Sequence, residues 1–224
     1  MFAAAIFDMD GLLIDSERTI MNTWIDVCAQ LGIALAPADY LRIVGRSFSE
    51  GQVVLTELVG GADAFRETSQ RVRQRLGAPV AQPMFPLKPG ARTLLAELAR
   101  AGVPCAVASS SGTAEIRSRL GRVDVLACFA AIAGGDEVAR GKPDPAVYRL
   151  EAERLGVPAH ACLAFEDSDF GAHAATRAGA SVVTVPDLKR PTPEVAALSF
   201  RILETLEQAV EHVPSWFRTH RPSA

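Results

Sequence analysis

Carboxylate and hydroxyl side chains follow three short apolar stretches of this sequence, where buried strands would end. Asp8 and Asp10 come after the first stretch, Ser109 after the second, and Glu166 and Asp167 after a later one. Ligands of a parallel sheet bind outside the carboxyl ends of its strands, so we expect these side chains to share one cleft. Crowded carboxylates repel one another unless a cation neutralises them. The ligand atoms offered are all oxygens, which suits magnesium and disfavours zinc or copper.

The same residues have the types that phosphoryl transfer requires. Asp8 is placed to attack phosphorus as a carboxylate nucleophile, and Asp10 to protonate the leaving oxygen and later activate water. Ser109, at the expected start of a helix, would offer its hydroxyl and nearby backbone N–H groups to phosphate oxygens. Lys142, in the turn of residues 141–145, would offset the charge of Asp8 and of a bound phosphate.

Each of these features also has an ordinary structural explanation. An isolated Asp-x-Asp-Gly stretch is often a turn, and residues 109–112 alone would fit a helix N-cap. Lys142 alone would fit a solvated turn lysine, and residues 166–168 a capping cluster before the next helix. The features occur in order, each at a strand end or at the turn facing it. That order favours the functional interpretation.

Short apolar stretches that alternate with helical periodicity predict the scaffold. The strand-like stretches are residues 3–7, 104–108, 130–133, 162–165 and 181–185. Helix-period segments follow most of them and end at Gly102, Gly156 and Gly179, where helices commonly stop. This alternation predicts an α/β fold, a Rossmann-like parallel sheet with helices on both faces.

The stretch of residues 16–86 has helical periodicity and no convincing strand. Apolar residues such as Ile20 and Trp24 recur at three- and four-residue spacing, and Gly32 and Gly77 are stop signals. Because one strand precedes this stretch and the others follow it, we expect an inserted α-helical cap domain.

Three segments follow from this arrangement. Residues 1–15 and 87–213 would form a discontinuous core and residues 16–86 the cap, with hinges where the chain crosses between them. Beyond Pro214 the sequence shows neither helical nor strand periodicity. We therefore expect residues 214–224 to form a loose tail.

Composition and charge argue against several classes of protein. The 224 residues carry a net charge of −3, so the chain lacks the excess of positive charge that binds a phosphate backbone, which argues against a nucleic-acid partner.

The longest nearly apolar run, residues 125–135, falls short of the roughly 20 residues that span a bilayer, so no membrane segment is expected. Asp8 and Asp10 interrupt the N-terminal apolar stretch, which argues against a secretory signal. The four cysteines lie far apart without a C-x-x-C pair, which is typical of buried thiols in a reducing compartment. We expect the protein to stay in the cytoplasm.

The motifs together resemble those of the haloacid dehalogenase-like hydrolase superfamily, in the subfamily with a helical cap inserted after the first motif. The stretches that carry the resemblance are Phe7-Asp8-Met9-Asp10-Gly11 with Asp15-Ser16-Glu17, Val107-Ala108-Ser109-Ser110, Gly141-Lys142-Pro143, and Phe165-Glu166-Asp167-Ser168 with Gly171 and Ala178-Gly179-Ala180. The resemblance covers residues 6 to about 185, nearly the whole chain.

The resemblance implies a role for each matching residue. Asp8 would be the nucleophile that becomes an aspartyl-phosphate, and Asp10 the general acid and base. Ser109 and Lys142 would bind phosphate, and Ser110 would contact the substrate. Magnesium would be held by Asp8, the Asp10 carbonyl, Glu166 and Asp167.

Differences between this chain and other enzymes of the superfamily argue against some of the reactions that those enzymes catalyse. Haloacid dehalogenases lack a second aspartate, so Asp10 argues against dehalogenation. Phosphonate-cleaving relatives use a cap lysine, and residues 16–86 contain none. Beta-phosphoglucomutase carries a cap histidine where this chain has Arg18-Thr19-Ile20, so hydrolysis is favoured over phosphomutase action, which stays the alternative. The intact motif set argues against a catalytically silent phosphate-binding module.

The sequence says less about the substrate. Residues 44–50 lie where the cap of this superfamily presents its specificity loop, so Gly45, Arg46 and Glu50 are the expected contacts of a leaving group. A surface loop with a solvated arginine is the alternative. We expect the partner to be a small phosphorylated metabolite, a sugar phosphate or a compound like phosphoglycolate, and the protein to be a monomer or weak homodimer.

Overall fold

A six-stranded parallel sheet forms the centre of the molecule. The computed structural model describes residues 1–44, 48–77 and 85–218. The strands are β1 (Ala4–Phe7), β2 (Cys105–Ala108), β3 (Ala131–Ala133), β4 (Cys162–Glu166), β5 (Ser181–Thr184) and β6 (Arg201–Ile202), in the order β3-β2-β1-β4-β5-β6. Every neighbouring pair is parallel. The five predicted strands are confirmed, and each observed end lies within one residue of the predicted one. The sequence did not predict β6.

Helices cover both faces of this sheet. They are α5 (Ala91–Arg100), α6 (Thr113–Arg122), α7 (Ala146–Arg154), α8 (Asp169–Ala178), α9 (Pro193–Leu198), α10 (Glu207–Val210) and α11 (Val213–Trp216). Because side chains alternate along a strand, Phe7 of β1 joins the cluster under α5, α6, α10 and α11, and Ile6 the cluster under α7, α8 and α9. Burial on both faces explains why β1 and β4 read as continuous apolar runs. The predicted Rossmann-like α/β fold is confirmed.

Among the described residues, four helices lie between β1 and α5 and pack around a separate apolar cluster. They are α1 (Ser16–Gln30), α2 (Pro37–Tyr40), α3 (Phe48–Leu58) and α4 (Ala62–Leu76). Trp24 of α1 stacks on Phe65 of α4, with ring centroids 5.8 Å apart, and both belong to this cluster. The helices end before Gly32 and Gly77, the two stop signals in the sequence. We call these four helices the cap.

The two chain crossings between the sheet and the cap run side by side. Ile14 forms an antiparallel bridge with Leu87, and the Asp15 N–H donates to the Pro86 carbonyl at 2.8 Å. The Lys88 N–H donates to the Leu13 carbonyl at 2.9 Å. This short ribbon fixes where α1 begins relative to the end of β1.

The expected loose tail is wrong for residues 214–218. Trp216 and Phe217 are buried in the cluster under α5, and the Phe2 N–H donates to the Trp216 carbonyl at 2.7 Å. The Arg218 N–H donates in turn to the Phe2 carbonyl at 2.9 Å. The apolar pattern of Val213, Trp216 and Phe217 is too short to register as a helical period. Residues 219–224 lie outside the described part of the chain.

The positions of the cysteines and the lengths of the helices bear on two further expectations. Cys28, Cys105 and Cys162 are buried free thiols, as expected. The expectation is wrong for Cys128, which is exposed because it ends a surface turn, Leu126–Cys128, and does not lie in a strand. Within the described ranges, no helix has the length and apolar character needed to cross a membrane.

Candidate active site

The ends of β1, β2 and β4 bring the predicted site residues together. Phe7 is in register with Val107 on one side and with Phe165 on the other, so Asp8 follows β1 between the ends of its two neighbours. The order of the strands reverses between β1 and β4, and such a switch point opens a ligand crevice at the carboxyl edge of a sheet. Asp8 is 6% exposed at this carboxyl edge, and its N–H donates to the Phe165 carbonyl of β4 at 3.0 Å.

Lys142 joins the carboxylates of two different strands. Its Nζ donates to Asp8 Oδ1 and to Glu166 Oε1, both at 2.6 Å, and its ammonium lies 5.1 Å from the centre of the Tyr148 ring. Burial lowers the pKa of Lys142, but attraction to Asp8 and Glu166 outweighs it and holds that pKa above its usual range. The lysine is therefore a permanent cation between two carboxylates.

Glu166 is the last residue of β4 and is fully buried. Besides Lys142, Oε1 accepts a short hydrogen bond from the Tyr148 hydroxyl, and Oε2 accepts one from Ser168 Oγ at 3.2 Å. A Cβ on Gly171 would lie 2.0 Å from this carboxylate. The first turn of α8 can thus approach Glu166 only because residue 171 is glycine.

Three carboxylates are close enough to share a cation. Among the described residues, Asp8, Glu166 and Asp167 each offer an oxygen, and these three atoms lie within 4.8 Å of one another. Burial, then repulsion by neighbouring carboxylates, raises the pKa of Asp8, although Lys142 pulls it down. Burial and the charges of Asp8 and Glu166 likewise raise the pKa of Asp167. A hard divalent cation would relieve this repulsion, and oxygen ligands suit magnesium, so the residues fit the predicted metal.

Gly11 shapes the loop that follows the first motif. Its φ is +81°, a conformation that favours glycine, and a Cβ there would lie 2.2 Å from Asp167 Oδ2. The glycine therefore lets the loop after Asp10 turn directly over the Asp167 carboxylate.

Asp10 accepts hydrogen bonds from three separate elements. Ser16 Oγ, at the start of α1, donates to Oδ1 at 2.7 Å, and Ser111 Oγ, in the loop after β2, donates to Oδ2 at 2.8 Å. Arg119 Nη1, in α6, donates to Oδ1 at 2.5 Å. The Asp10 side chain is therefore held in a different set of contacts from Asp8.

Ser109 does not lie at the start of a helix, and that expectation was wrong. It is buried after β2, donates its N–H to the Ala133 carbonyl at 3.1 Å, and accepts the Ser111 N–H on its hydroxyl at 3.1 Å. The loop closes on itself in this way, and α6 begins only at Thr113, whose N–H is capped by Asp136 Oδ1 at 2.9 Å. Ser109 still follows the last residue of β2 at the carboxyl edge of the sheet, whereas Ser110 is exposed.

The predicted cap contacts cannot be placed. Gly45 and Arg46 lie outside the described residues. Glu50 belongs to α3, but its side chain lies outside the described part of the chain. The assignment of these three residues to the substrate stays a prediction.

Several contacts in the site were not anticipated. Ser16 and Ser111 stand inside the motifs that marked the site, so their hydroxyls were visible in the sequence, as was Glu17, whose pKa burial and the nearby Asp10 raise to about 7. Tyr148 and Arg119 lie on helix faces outside the motifs. No local sequence signal distinguishes them from other helical residues.

The sequence and the fold both match known proteins. Residues 2–179 match the haloacid dehalogenase-like hydrolase family. A phosphorylated carbohydrates phosphatase of Thermotoga maritima is 34% identical, over 79% of this chain and 81% of its own length. The crystal structure of CbbY from Rhodobacter sphaeroides in complex with phosphate has a TM-score of 0.74 and 26% identity, covering 93% of this chain and 96% of that one. A provisionally named beta-phosphoglucomutase from Thermotoga maritima has a TM-score of 0.77 and 28% identity, covering 95% and 98%.

These matches and the site agree on one family. The matched region contains all the motifs that meet at the sheet edge, from Asp8 after β1 to Asp167 after β4. The chain belongs to the haloacid dehalogenase-like hydrolase family and is a phosphoric monoester hydrolase.

Proposed function

We propose that this hydrolase is magnesium-dependent and releases phosphate from a small phosphorylated metabolite through an aspartyl-phosphate intermediate. The observation that carries the proposal is the Asp8 carboxylate, buried at a strand end, bonded to Lys142 and grouped with Glu166 and Asp167. A buried carboxylate beside a permanent cation and a cluster of oxygen ligands is suited to attack a phosphate dianion.

In the first step an Asp8 carboxylate oxygen forms a bond to phosphorus, and the bond between phosphorus and the leaving oxygen breaks. Asp10 gives its proton to that leaving oxygen, which departs as an alcohol. Lys142 offsets the charge that Asp8 and the phosphoryl group bring together. The Ser109 hydroxyl, beside Asp8 at the ends of neighbouring strands, would donate to a phosphoryl oxygen.

In the second step water attacks the phosphorus of the aspartyl-phosphate. Asp10, now a carboxylate, accepts a proton from that water as the bond between phosphorus and the Asp8 oxygen breaks. Inorganic phosphate leaves, and Asp8 and Asp10 return to their starting protonation states. One group thus acts as acid and then as base.

Asp8, the Asp10 carbonyl, Glu166 and Asp167 would hold magnesium. Bound there, the ion supplies positive charge that screens the carboxylates from the incoming phosphate. The fit rests on the oxygen donors and on the repulsion that raises the pKa of Asp8 and Asp167.

Support for a carbohydrate substrate comes from the relatives. The Thermotoga maritima relative is a phosphatase of phosphorylated carbohydrates, and hexitol phosphatase A of Escherichia coli is 29% identical over 91% of this chain. Hydrolysis is favoured over phosphomutase action because residues 16–86 contain no histidine that could serve as a second acid or base in the cap. A sugar phosphate or a compound like phosphoglycolate is therefore the proposed substrate.

A panel of phosphorylated metabolites tests this proposal. The purified protein, with magnesium, is offered sugar phosphates, polyol phosphates and phosphoglycolate, and both free phosphate and isomerised ester are measured. We expect stoichiometric free phosphate and no isomer from at least one sugar phosphate. Isomer formed without free phosphate would establish the phosphomutase alternative, and phosphate release that persists in excess chelator would contradict the magnesium assignment.

A further inference from the structure

Arg119 of α6 is fixed on three sides around the Asp10 carboxylate. Nη1 donates to Asp10 Oδ1 at 2.5 Å, and Nη2 makes a short hydrogen bond to Glu115, one turn earlier in α6. The guanidinium carbon lies 4.7 Å above the centre of the Phe85 ring. The side chains of Arg119 and Asp10 are only 16% and 18% exposed, so this ion pair is shielded from solvent.

The hydrogen-bond donors to Asp10 differ in charge and in rigidity. Ser16 and Ser111 offer neutral hydroxyls at 2.7 and 2.8 Å, which can rotate to donate or accept. Arg119 offers a planar, charged group that cannot accept, and its plane is set by Glu115 and Phe85. The guanidinium is therefore the contact that fixes the Asp10 carboxylate most strongly.

The two oxygens of Asp10 have different surroundings. Oδ1 accepts from both Ser16 and Arg119, whereas among the described residues Oδ2 accepts only from the Ser111 hydroxyl. A proton on Oδ1 would compete with the Arg119 donor, whereas a proton on Oδ2 needs only a rotation of the Ser111 hydroxyl. Oδ1 is thus the anchored oxygen and Oδ2 the one able to carry a proton.

We propose that Arg119 is a positioning residue that anchors Asp10 through Oδ1 and leaves Oδ2 as the oxygen that exchanges a proton with the leaving group. The inference rests on the proposed phosphatase function. The proton moves from Oδ2 to the leaving oxygen as its bond to phosphorus breaks, and Oδ2 receives a proton from water in the second step. Arg119 acts through Asp10 and takes no part in bond making.

The dependence of the rate on the leaving group separates this role from a structural one. The value of kcat/KM reports the steps up to release of the leaving group. An alkoxide leaving from a sugar phosphate needs the Asp10 proton, whereas p-nitrophenolate barely does. Arg119→Met, which keeps an apolar stem but removes the guanidinium donors, should lower kcat/KM for a sugar phosphate about tenfold or more and for p-nitrophenyl phosphate less than about threefold.

Further variants control for folding and for helix perturbation. Arg119→Lys, which keeps the charge, should recover part of the loss on the sugar phosphate. Arg117→Met, at an exposed position of the same helix, should leave both values unchanged. In an Asp10→Asn background, Arg119→Met should have no further effect on the sugar phosphate, because the group it positions is already gone.

The outcomes distinguish this inference from the proposed function. Equal losses on both substrates, no loss on the sugar phosphate, or a further loss in the Asp10→Asn background would overturn the role of Arg119 while leaving phosphatase activity established. Where Arg119→Met unfolds by thermal melting, Arg119→Lys and its double variant with Asp10→Asn provide the same comparison. A wild-type protein that releases no phosphate from any ester would overturn the proposed function itself.

Discussion

Asp8 and Asp10 lie two residues apart in the chain, yet their carboxylates have different partners. Asp8 accepts a hydrogen bond from the Lys142 ammonium, a positive charge that would screen the proposed nucleophile from a phosphate dianion. Asp10 accepts from two hydroxyls and a guanidinium. The residues have the same chemical type, and their different neighbours are consistent with the proposed roles of nucleophile for Asp8 and of acid and base for Asp10.

Matched amide substitutions should show this separation. Asp8→Asn keeps the shape but removes the nucleophile, so we expect kcat to fall by about 10³-fold or more on every substrate. Asp10→Asn should lower kcat/KM by about 10²-fold or more on a sugar phosphate and far less on p-nitrophenyl phosphate, which needs no proton to leave. Steady-state kinetics on the two esters provides the measurement. A parallel loss for Asp10→Asn on both esters would argue against its role as an acid.

Gly171 is a second residue whose identity is dictated by the site. Gly171→Ala would put a Cβ 2.0 Å from the Glu166 carboxylate, which is buried and held by three donors. We expect the free energy of unfolding to fall by about 2 kcal/mol, as for other overpacked interiors, together with the activity. Gly141→Ala is the control, because its Cβ would meet no atom within 4 Å. Urea unfolding of both variants checks this, and equal stabilities would contradict it.

The sheet strands could be predicted closely because they are buried on both faces. Their apolar runs end at a polar residue or a turn, so β1 and β2 were placed within one residue. β6 has only two residues, Arg201 and Ile202, both exposed, and such a segment has no apolar signature. Strands that build the site were therefore visible in the sequence, and the edge strand was not.

The helices show where sequence reasoning stops. Helical periodicity identifies which face of α6 or α7 is buried, but the partner of a given side chain depends on how the helix lies on the sheet. Arg119 meets Asp10 and Tyr148 meets Glu166 across long sequence separations, so neither contact was predictable. The late start of α6 at Thr113 likewise depends on Asp136, from the loop after β3.

Within α7, a buried acid gives a pH-dependent contribution to stability. Glu151 is fully buried, accepts from Arg154 at 3.2 Å, and its Oε2 has no hydrogen-bond partner among the described residues. Burial raises the pKa of Glu151 from 4.5 to about 7, although Arg154 pulls it down. Because the folded state binds this proton more tightly than the unfolded state, Glu151 contributes its full stabilisation below the unfolded-state pKa. That stabilisation is lost as the pH rises through about 7, the pKa in the folded state.

Glu151→Gln should remove that pH dependence. Between about pH 5 and 8 the wild type should lose on the order of 1–3 kcal/mol of unfolding free energy relative to the variant, since one pKa unit corresponds to about 1.4 kcal/mol. Glu153→Gln, at an exposed position of α7, is the matched control and should follow the wild type. Urea unfolding across pH is the measurement. Identical pH profiles for the wild type and Glu151→Gln would rule the effect out.

At the scale of the whole molecule, the proposed magnesium site of Asp8, Glu166 and Asp167 would couple folding to metal binding. Burial raises the pKa of Asp8 and of Asp167 in the folded state. Without metal, protonation of these two carboxyls therefore stabilises the fold at low pH, and this stabilisation is lost as the pH rises through the raised pKa of each group. A cation that binds only the folded state restores stability according to its concentration over its Kd. Magnesium should therefore stabilise the protein most where protons no longer compete for these carboxylates.

Thermal melting with and without magnesium measures this coupling. At about 100 times Kd we expect the melting temperature to rise by roughly 5–10 °C near pH 8, and by less near pH 5. Asp167→Asn should abolish most of the shift, since it removes one ligand while keeping the shape of the side chain. An equal shift at both pH values, or an undiminished shift in Asp167→Asn, would place the cation elsewhere.

A phosphoryl group on Asp8 is the species that distinguishes the covalent mechanism from direct attack by water. The Asp10→Asn variant should form it from p-nitrophenyl phosphate and hydrolyse it slowly, because the base that activates water is missing. Acid quenching in the presence of magnesium, followed by borohydride reduction and peptide mass spectrometry, would convert the phosphorylated residue to homoserine and locate it. We predict homoserine at position 8, approaching one per chain, and none in Asp8→Asn. Phosphate release without any labelled residue, or a label at another position, would contradict the assignment of Asp8 as the nucleophile.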